Sequence, residues 1–318
     1  MFKRIASALA LAMLASTAAA ADFPAKPVQM VVPYSPGGLT DNLARRYADK
    51  LSEAWKQPVV VENKPGAGSS IGAAAVARSA PDGYTMLLGS VGMVTNHMLL
   101  KKMPYEPSQL VPLALVALAP NVLYIHPSIP ANNVKEFVEY AKKNPGKVSF
   151  ASSGVGSSPH LAAELFASKT GIDAIQVPYK GTGPAIADFL GGQVNAYFDT
   201  MQSMKYAKDG SIRALGVTTE KRIADAPDLP TIEESGVASG VISSSWFGFF
   251  VPAATPADVQ KRIVDTLRGI AQDQGMKVVV SEMGLVPDFQ DQTQFKQFIQ
   301  SETAKWGEVI RSQNISIQ

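Results

Sequence analysis

Three times in this chain an apolar run ends in a glycine-rich stretch that opens onto a helical pattern. A chain written this way is committed to strands that hand over to helices at one edge of a sheet. Val28 to Val32 is a near-continuous apolar run, Tyr34-Ser35-Pro36-Gly37-Gly38 breaks it, and Leu43, Tyr47, Leu51 and Trp55 then recur at helical spacing. The pattern continues with a strand over Val59 to Val61, a helix over Ile71 to Ala77, a turn at Pro81-Asp82-Gly83 and a strand over Thr85 to Leu88. Alternation of this kind implies a parallel sheet covered on both faces.

A second series begins after Ile125. Asn132 or Asn133 caps a helix whose apolar face is Val134, Phe137, Val138 and Ala141, and Asn144-Pro145-Gly146 stops it. Val148 to Ala151, Ile175 to Val177, Val194 to Phe198 and Ile212 to Val217 read as strands, with helices at Pro159 to Lys169, Pro184 to Leu190 and Ser203 to Asp209. A third part holds one strand, Phe247 to Val251, and a helix signalled by Thr255-Pro256 with Val259, Ile263, Leu267 and Ile270 on one face. A final amphipathic helix carries Phe295, Phe298, Ile299, Trp306, Val309 and Ile310. That part has too few strands for a sheet of its own, so it completes the first.

At 318 residues the chain exceeds what one core usually organises. The expected architecture is α/β and two-lobed, with residues 22–121 and 246–318 in lobe 1 and residues 122–245 in lobe 2, each lobe a mainly parallel sheet flanked by helices. Leu110 to Ile125 is apolar, but Pro112 and Pro120 interrupt it and it falls short of the ~20 residues a membrane span needs. It reads as two extended pieces that cross between the lobes.

Residues 1–21 read as a secretory signal peptide: Lys3 and Arg4, an apolar stretch from Ile5 to Ala15, and small residues that place cleavage near Ala20 or Ala21. The formal charge of +2 belongs to this leader, because removing Lys3 and Arg4 leaves 27 basic residues against 27 acidic ones. With no Lys/Arg-rich run, nucleic acid is not an expected partner. The chain has no cysteine, which excludes disulfides, a lipid-modified cysteine anchor, thiolate metal sites and cysteine nucleophiles. A monomer freely soluble outside the cytoplasm, without metal or cofactor, is the expectation.

The glycine junctions share a chemical character. Tyr34 to Asp41 lies in lobe 1, including Ser35, Gly37, Gly38 and Thr40; Ser152, Ser153, Gly154, Gly156 and Ser157 form one junction of lobe 2, and Tyr179-Lys180-Gly181-Thr182-Gly183 another. Glycine lets backbone approach a ligand, and a helix N-terminus leaves free N–H groups that favour an anion. In open α/β sheets ligands sit beyond the carboxyl ends of the strands, so these loops would meet across one cleft. The plainer alternative is that Thr40, Asp41 and Ser158-Pro159 are helix caps and nothing more.

Enzyme motifs are absent. Gly66-Ala67-Gly68-Ser69-Ser70-Ile71-Gly72 has the wrong spacing for a dinucleotide fingerprint, and the chain carries no phosphate-loop, nucleophile-elbow or zincin motif. A serine hydrolase would have to use Ser157 or Ser153 with His160. Asp199, at the end of the Val194 to Phe198 strand, either turns the chain or accepts a hydrogen bond from a ligand hydroxyl, amine or water.

Taken together, Val32-Pro33-Tyr34-Ser35-Pro36-Gly37-Gly38 with Asp41 and Ala44-Arg45, Val61-Glu62-Asn63-Lys64-Pro65-Gly66-Ala67-Gly68 and Pro81-Asp82-Gly83-Tyr84-Thr85 resemble the Bug family, the solute receptors of tripartite tricarboxylate transporters. Ser152 to Ser157 with His160-Leu161, Val177-Pro178-Tyr179-Lys180-Gly181, Leu190 to Val194 ending in Asp199, Leu229-Pro230-Thr231 and Trp246-Phe247-Gly248 extend the resemblance over the mature chain. It implies a type II-like periplasmic binding protein, not an enzyme, that closes its two lobes on a small carboxylate and delivers it to membrane permease subunits. It also implies that Tyr34 to Thr40 meets one ligand carboxylate through backbone and water, that Ser152 to Ser157 holds it from the other side, and that Tyr179, Gly181 and Asp199 lie nearby. Asn96-His97 departs from the family's usual Asn-Pro, which would reshape the wall below Ser90. The three loops carry no Arg, so affinity would come from neutral donors and helix N-termini, each dipole contributing ~0.3–2 kcal/mol. Tyr34 leaves di- and tricarboxylates, acidic amino acids and aromatic carboxylates all open as ligands. A receptor that feeds a sensor kinase would share the same cleft.

Overall fold

The computed structural model describes residues 23–316, so the expected leader lies outside the described residues. The chain begins with β1 (Val28–Val32), α1 (Leu39–Trp55), β2 (Val59–Asn63), α2 (Ser70–Ala77), β3 (Thr85–Gly89), α3 (Gly92–Leu99) and the long β4 (Leu110–Pro120). It continues through β5 (Val122–Ile125), α4 (Val134–Lys143), β6 (Val148–Ser152), α5 (Ser158–Thr170), β7 (Ala174–Pro178), α6 (Thr182–Leu190), β8 (Ala196–Asp199), α7 (Met204–Lys208) and β9 (Arg213–Val217). It ends with β10 (Ser244–Pro252), α8 (Ala257–Gln272), α9 (Gln274–Glu282), β11 (Val286–Gln290) and α10 (Gln292–Ser312).

Two sheets result, a six-stranded one in the order β11-β4-β10-β3-β1-β2 and a five-stranded one in the order β7-β6-β8-β5-β9. The fold is the two-lobed α/β one, with one correction: the sheets are mixed, not mainly parallel. Within the first, β1 pairs in parallel with β2 and β3, whereas β10 runs antiparallel to both β3 and β4, and β11 antiparallel to β4. In the second, β6 is parallel to β7 and β8, but β5 is antiparallel to β8 and β9. The cause is the path of the chain. It leaves the larger sheet along β4 and returns along β10, and an outgoing strand laid beside a returning one is antiparallel.

β4 passes straight through Pro112, which the sequence marks as a break. A register shift between Phe249 and Phe250 of β10 falls opposite it, so the proline's missing N–H is absorbed by a bulge. The extended run stops instead at Asn121, between the two sheets. Asn133 caps α4 as its sequence suggests, accepting the Glu136 N–H at 2.9 Å. Thr255 does not cap α8; the helix starts from Pro256 without a side-chain cap, and the Thr255 hydroxyl is buried without a partner. Three elements carry no clear sequence signal: α3 starts without a capping side chain, and α9 and β11 are short pieces shaped by packing along the edge of the larger sheet.

The expected apolar face of α10 packs inward. Phe295 and Trp306 are fully buried, Val309 and Ile310 nearly so, and the helix lies against β4, α3 and α5. It therefore touches elements on both sides of the crossing. Trp306 donates its indole N–H to buried Glu302 at 2.8 Å, which keeps that carboxylate satisfied inside the core.

Candidate functional site

The carboxyl ends of β1, β2, β3, β6 and β8 face one cavity of about 640 Å³, with both sheets contributing to its wall. On the side of the larger sheet the wall is built from Tyr34, Ser35, Gly38 and Thr40, then Ser90 and Asn96. The smaller sheet contributes Ser153, Gly154, Gly156, Ser157, Gly181 and Asp199. Four of the sequence-predicted residues do not line the cavity: Gly37, Ser152, His160 and Tyr179.

Gly38 is the N-cap of α1 and offers no side chain to its helix. Gly181 does the same for α6. Ser157, the N-cap of α5, donates its hydroxyl to the Gly154 carbonyl at 2.6 Å instead of capping. The N–H groups of Leu39 and Thr40, of Ser158, and of Thr182 and Gly183 consequently find no partner among the described residues. By contrast α4, α9 and α10 start away from the cavity and carry Asn133, Asp273 and Asp291 as side-chain caps. Helix starts at the cavity thus keep their amide donors and positive dipole ends available.

Asp41 fixes the first loop. Its carboxylate accepts the Gly37 N–H at 2.8 Å, both nitrogens of the Arg45 fork at 3.0 and 3.1 Å, and Asn63 Nδ2 at 2.9 Å. The same Asn63 amide reaches the Tyr34 carbonyl at 3.1 Å. Burial pushes the Asp41 carboxyl up, but Arg45, Gly37 and Asn63 together hold it below its ordinary value, so it stays ionised. Asp41 and Arg45 satisfy each other, and neither offers charge to the cavity. Tyr34 presents its ring to the cavity while burial raises its phenol; the Ser69 and Ser90 hydroxyls beside it act in the opposite sense.

Behind the second loop, His160 Nδ1 accepts the Gly156 N–H at 3.3 Å, and Nε2 stands 3.7 Å from Glu164. Burial pushes the imidazole down to about 4, so it is neutral and acts as an acceptor that pins Gly156. Both serines of the hydrolase alternative lie elsewhere in the hydrogen-bond pattern: Ser157 is spent on Gly154, and no bond joins His160 to a serine. The Tyr179 hydroxyl is held by Asp188 at 2.8 Å, away from the cavity. Asp199 is only 7% exposed yet lines the cavity; it accepts the Ser203 hydroxyl at 2.5 Å and the Thr200 N–H. Burial raises its carboxyl, against the pull of those two donors.

Sequence reasoning missed one wall. The segment set aside as a failed dinucleotide motif, Gly66 to Ser69, lines the cavity with Pro65. It is held in unusual backbone: Ala67 and Ser69 have φ of 44° and 83°, and a Cβ on Gly68 would stand 2.8 Å from Asn96 Oδ1. Asn96 clamps this turn, donating to the Gly68 carbonyl at 2.7 Å, whereas His97 is exposed on the other side of α3. His97 itself does not line the cavity. The available signal was positional, since this segment too joins a strand to a helix. Asn121, Ser245 and Phe247 were also missed, because they come from the crossing strands and no glycine marks them.

No helix among the described residues is long and apolar enough to cross a membrane, and no cluster of metal-ligating side chains is present among them. The family model for the tripartite tricarboxylate transporter family receptor matches residues 43–315. The chain is 35% identical over 307 residues to protein BugT of Bordetella pertussis, covering 95% of this chain and 94% of that one. Among solved structures it is similar to Rpa4515 of R. palustris with adipate, at 34% identity and a TM-score of 0.83 over 93% of this chain and 99% of that one. It is similar also to MatC of Rhodopseudomonas palustris with bound malate, at 27% identity and a TM-score of 0.77 over 91% of this chain and all (100%) of that one. The larger sheet, the smaller sheet and the cavity between them are thus those of a solute receptor and not of an enzyme, and the chain belongs to the tripartite tricarboxylate transporter receptor family.

Proposed function

We propose that the chain captures a small carboxylate in the periplasm by closing two lobes, residues 22–121 with 246–318 and residues 122–245, and hands it to the membrane permease of a tripartite tricarboxylate-type transporter. One observation carries the reading: uncapped helix N-termini from both sheets, α1 on one and α5 and α6 on the other, open onto a cavity that no basic side chain lines among the described residues. Peptide N–H groups fixed in this way form a binding site for a carboxylate without a cationic side chain. The adipate of Rpa4515 and the malate of MatC belong to the same chemical class. In this proposal the leader directs export, and Tyr34, Gly38, Ser153, Gly154, Gly156 and Gly181 contact ligand while Asp41 and His160 hold their loops in shape.

Asn121 supplies a pivot. Its side-chain amide donates to Ser158 and Ser243 at 2.9 Å each, and its carbonyl accepts from Thr218, so both crossings are tied at one point while β4 and β10 run on into the larger sheet. Native mass spectrometry of the purified protein, followed by thermal shift over di- and tricarboxylates, acidic amino acids and aromatic acids, tests the reading. A ligand at ~100 times its Kd adds ~2.7 kcal/mol of stability. Absence of a shift with every carboxylate, in protein refolded free of carried-over ligand, removes it. A pull-down that returns a sensor kinase instead of permease subunits would move the same site to signalling.

A further inference from the structure

The cavity has an uneven charge balance. Among the described residues no Lys, Arg or His lines it, and Asp199 is the single acidic side chain in its wall. The groups that act on Asp199 are the Ser203 hydroxyl and the Thr200 N–H, with no cation among them. A carboxylate this deeply buried is costly to hold ionised on neutral hydrogen bonds alone, without a positive charge beside it. Every other carboxylate buried in the described structure has such a charge: Asp41 has Arg45, and Glu302 has Lys305. Asp199 also occupies a fixed position, at the last residue of β8 and opposite Val122 in β5, one residue from Asn121 at the crossing. Asp199 therefore meets the cavity with two neutral donors and no cation of its own.

Resting on the carboxylate-receptor reading above, we infer that the ligand supplies a further donor to Asp199, which has no cation of its own, and that this receptor selects carboxylates whose carbon chain also carries an N–H or O–H donor, an ammonium or hydroxyl group, over plain dicarboxylates of the same length. The ligand's carboxylate lies at the uncapped helix starts and its donor at Asp199. A plain dicarboxylate turns acceptor toward acceptor there, and two carboxylates in a buried site repel unless a proton is taken up. An ammonium or hydroxyl removes that conflict and adds a charge-assisted hydrogen bond.

The test uses the mature protein, freed of carried-over ligand, and isothermal titration with matched pairs: L-aspartate and L-malate against succinate, and L-glutamate against glutarate. The expected result is that the donor-bearing member of at least one pair binds ~10- to 100-fold tighter. In Asp199→Asn, which keeps shape and removes charge, the preference for the ammonium compound falls to a few-fold or less. Equal affinity within both pairs in the wild type overturns the inference while leaving the carboxylate reading intact, and needs no variant to fold. A preference that survives Asp199→Asn in a variant with unchanged circular dichroism also overturns it, since the donor is then read elsewhere. Failure of every carboxylate to bind overturns the parent reading and the inference with it.

Discussion

Asp41 and His160 do their work without touching the cavity, and each was visible in the sequence for a reason other than its role. Asp41 reads as a cap or motif residue; in the structure it ties Gly37, Arg45 and Asn63 together. Asp41→Ala should leave the Tyr34 to Gly38 loop without its organiser and weaken ligand binding ~10-fold or more, a loss of the size expected from one buried charge-assisted network. Titration calorimetry checks it, and an unchanged Kd would show that the loop holds its shape without the carboxylate. His160 reads as a candidate base and is instead a buried acceptor, because the residue type in the sequence does not say which atom faces it. Its pH signature follows from burial. An unfolded imidazole takes up a proton near pH 6.5, whereas the folded one resists until about 4, so the unfolded state binds more protons between these limits and stability falls as pH drops through that window, by about 3 kcal/mol at most. Glu164, raised by burial, acts in the opposite sense at the acid end. Melting temperature against pH for wild type and His160→Gln isolates the imidazole: the wild type should lose stability relative to the variant as pH falls from about 6.5 to about 4, with a constant offset on either side, and curves that stay parallel through that window would refute the assignment.

At the level of elements, the strands and the longer helices were legible because period and punctuation agree over many residues. Leu43, Tyr47, Leu51 and Trp55 are all buried in α1, as their spacing requires. Short elements such as α3 and β11 were not, since tertiary packing decides them. The loops divide along the same line. Glycine marked three of the cavity's junctions, but Gly66 to Ser69 was judged against the wrong template, and Asn121 carries no marker at all. Two substitutions separate conformation from occupancy here. Gly38 has ordinary backbone, and a Cβ there meets only the Ser35 carbonyl at 3.6 Å, so Gly38→Val should cost no more than the ~1 kcal/mol of an aliphatic N-cap while its side chain screens the open α1 amides and weakens capture. Gly68 has φ of 63° and the close Asn96 contact, so Gly68→Ala should cost ~1–3 kcal/mol and lower the melting temperature as well as affinity. Chemical denaturation beside titration distinguishes them. Equal effects of the two variants on stability would contradict the geometry.

On the scale of the molecule, length and the order of elements pointed to two lobes, but not to how firmly they are joined. A single apolar cluster includes Val31 and Leu87 of the larger sheet, Phe150 and Phe198 of the smaller one, and Trp306 of α10. α10 packs against α3 and α5 at once. With the core shared in this way, the mature protein should unfold in one calorimetric transition, with van't Hoff and calorimetric enthalpies equal. Two resolved transitions would mean that the lobes melt as separate domains. The sequence could not reveal this, because periodicity identifies the buried face of a helix and not which sheets that face will meet.

The helix starts at the cavity have a consequence for how such a receptor changes over time. A carboxylate held by peptide N–H groups has no anchoring side chain that a point mutation can delete. In the proposed binding mode, substitutions in the surrounding wall, at Tyr34, Asn96, Asp199 or Phe247, redirect the protein to a new solute while the grip on the shared acid group persists. The arrangement separates what all its ligands have in common from what distinguishes them, and lets the second drift without endangering the first.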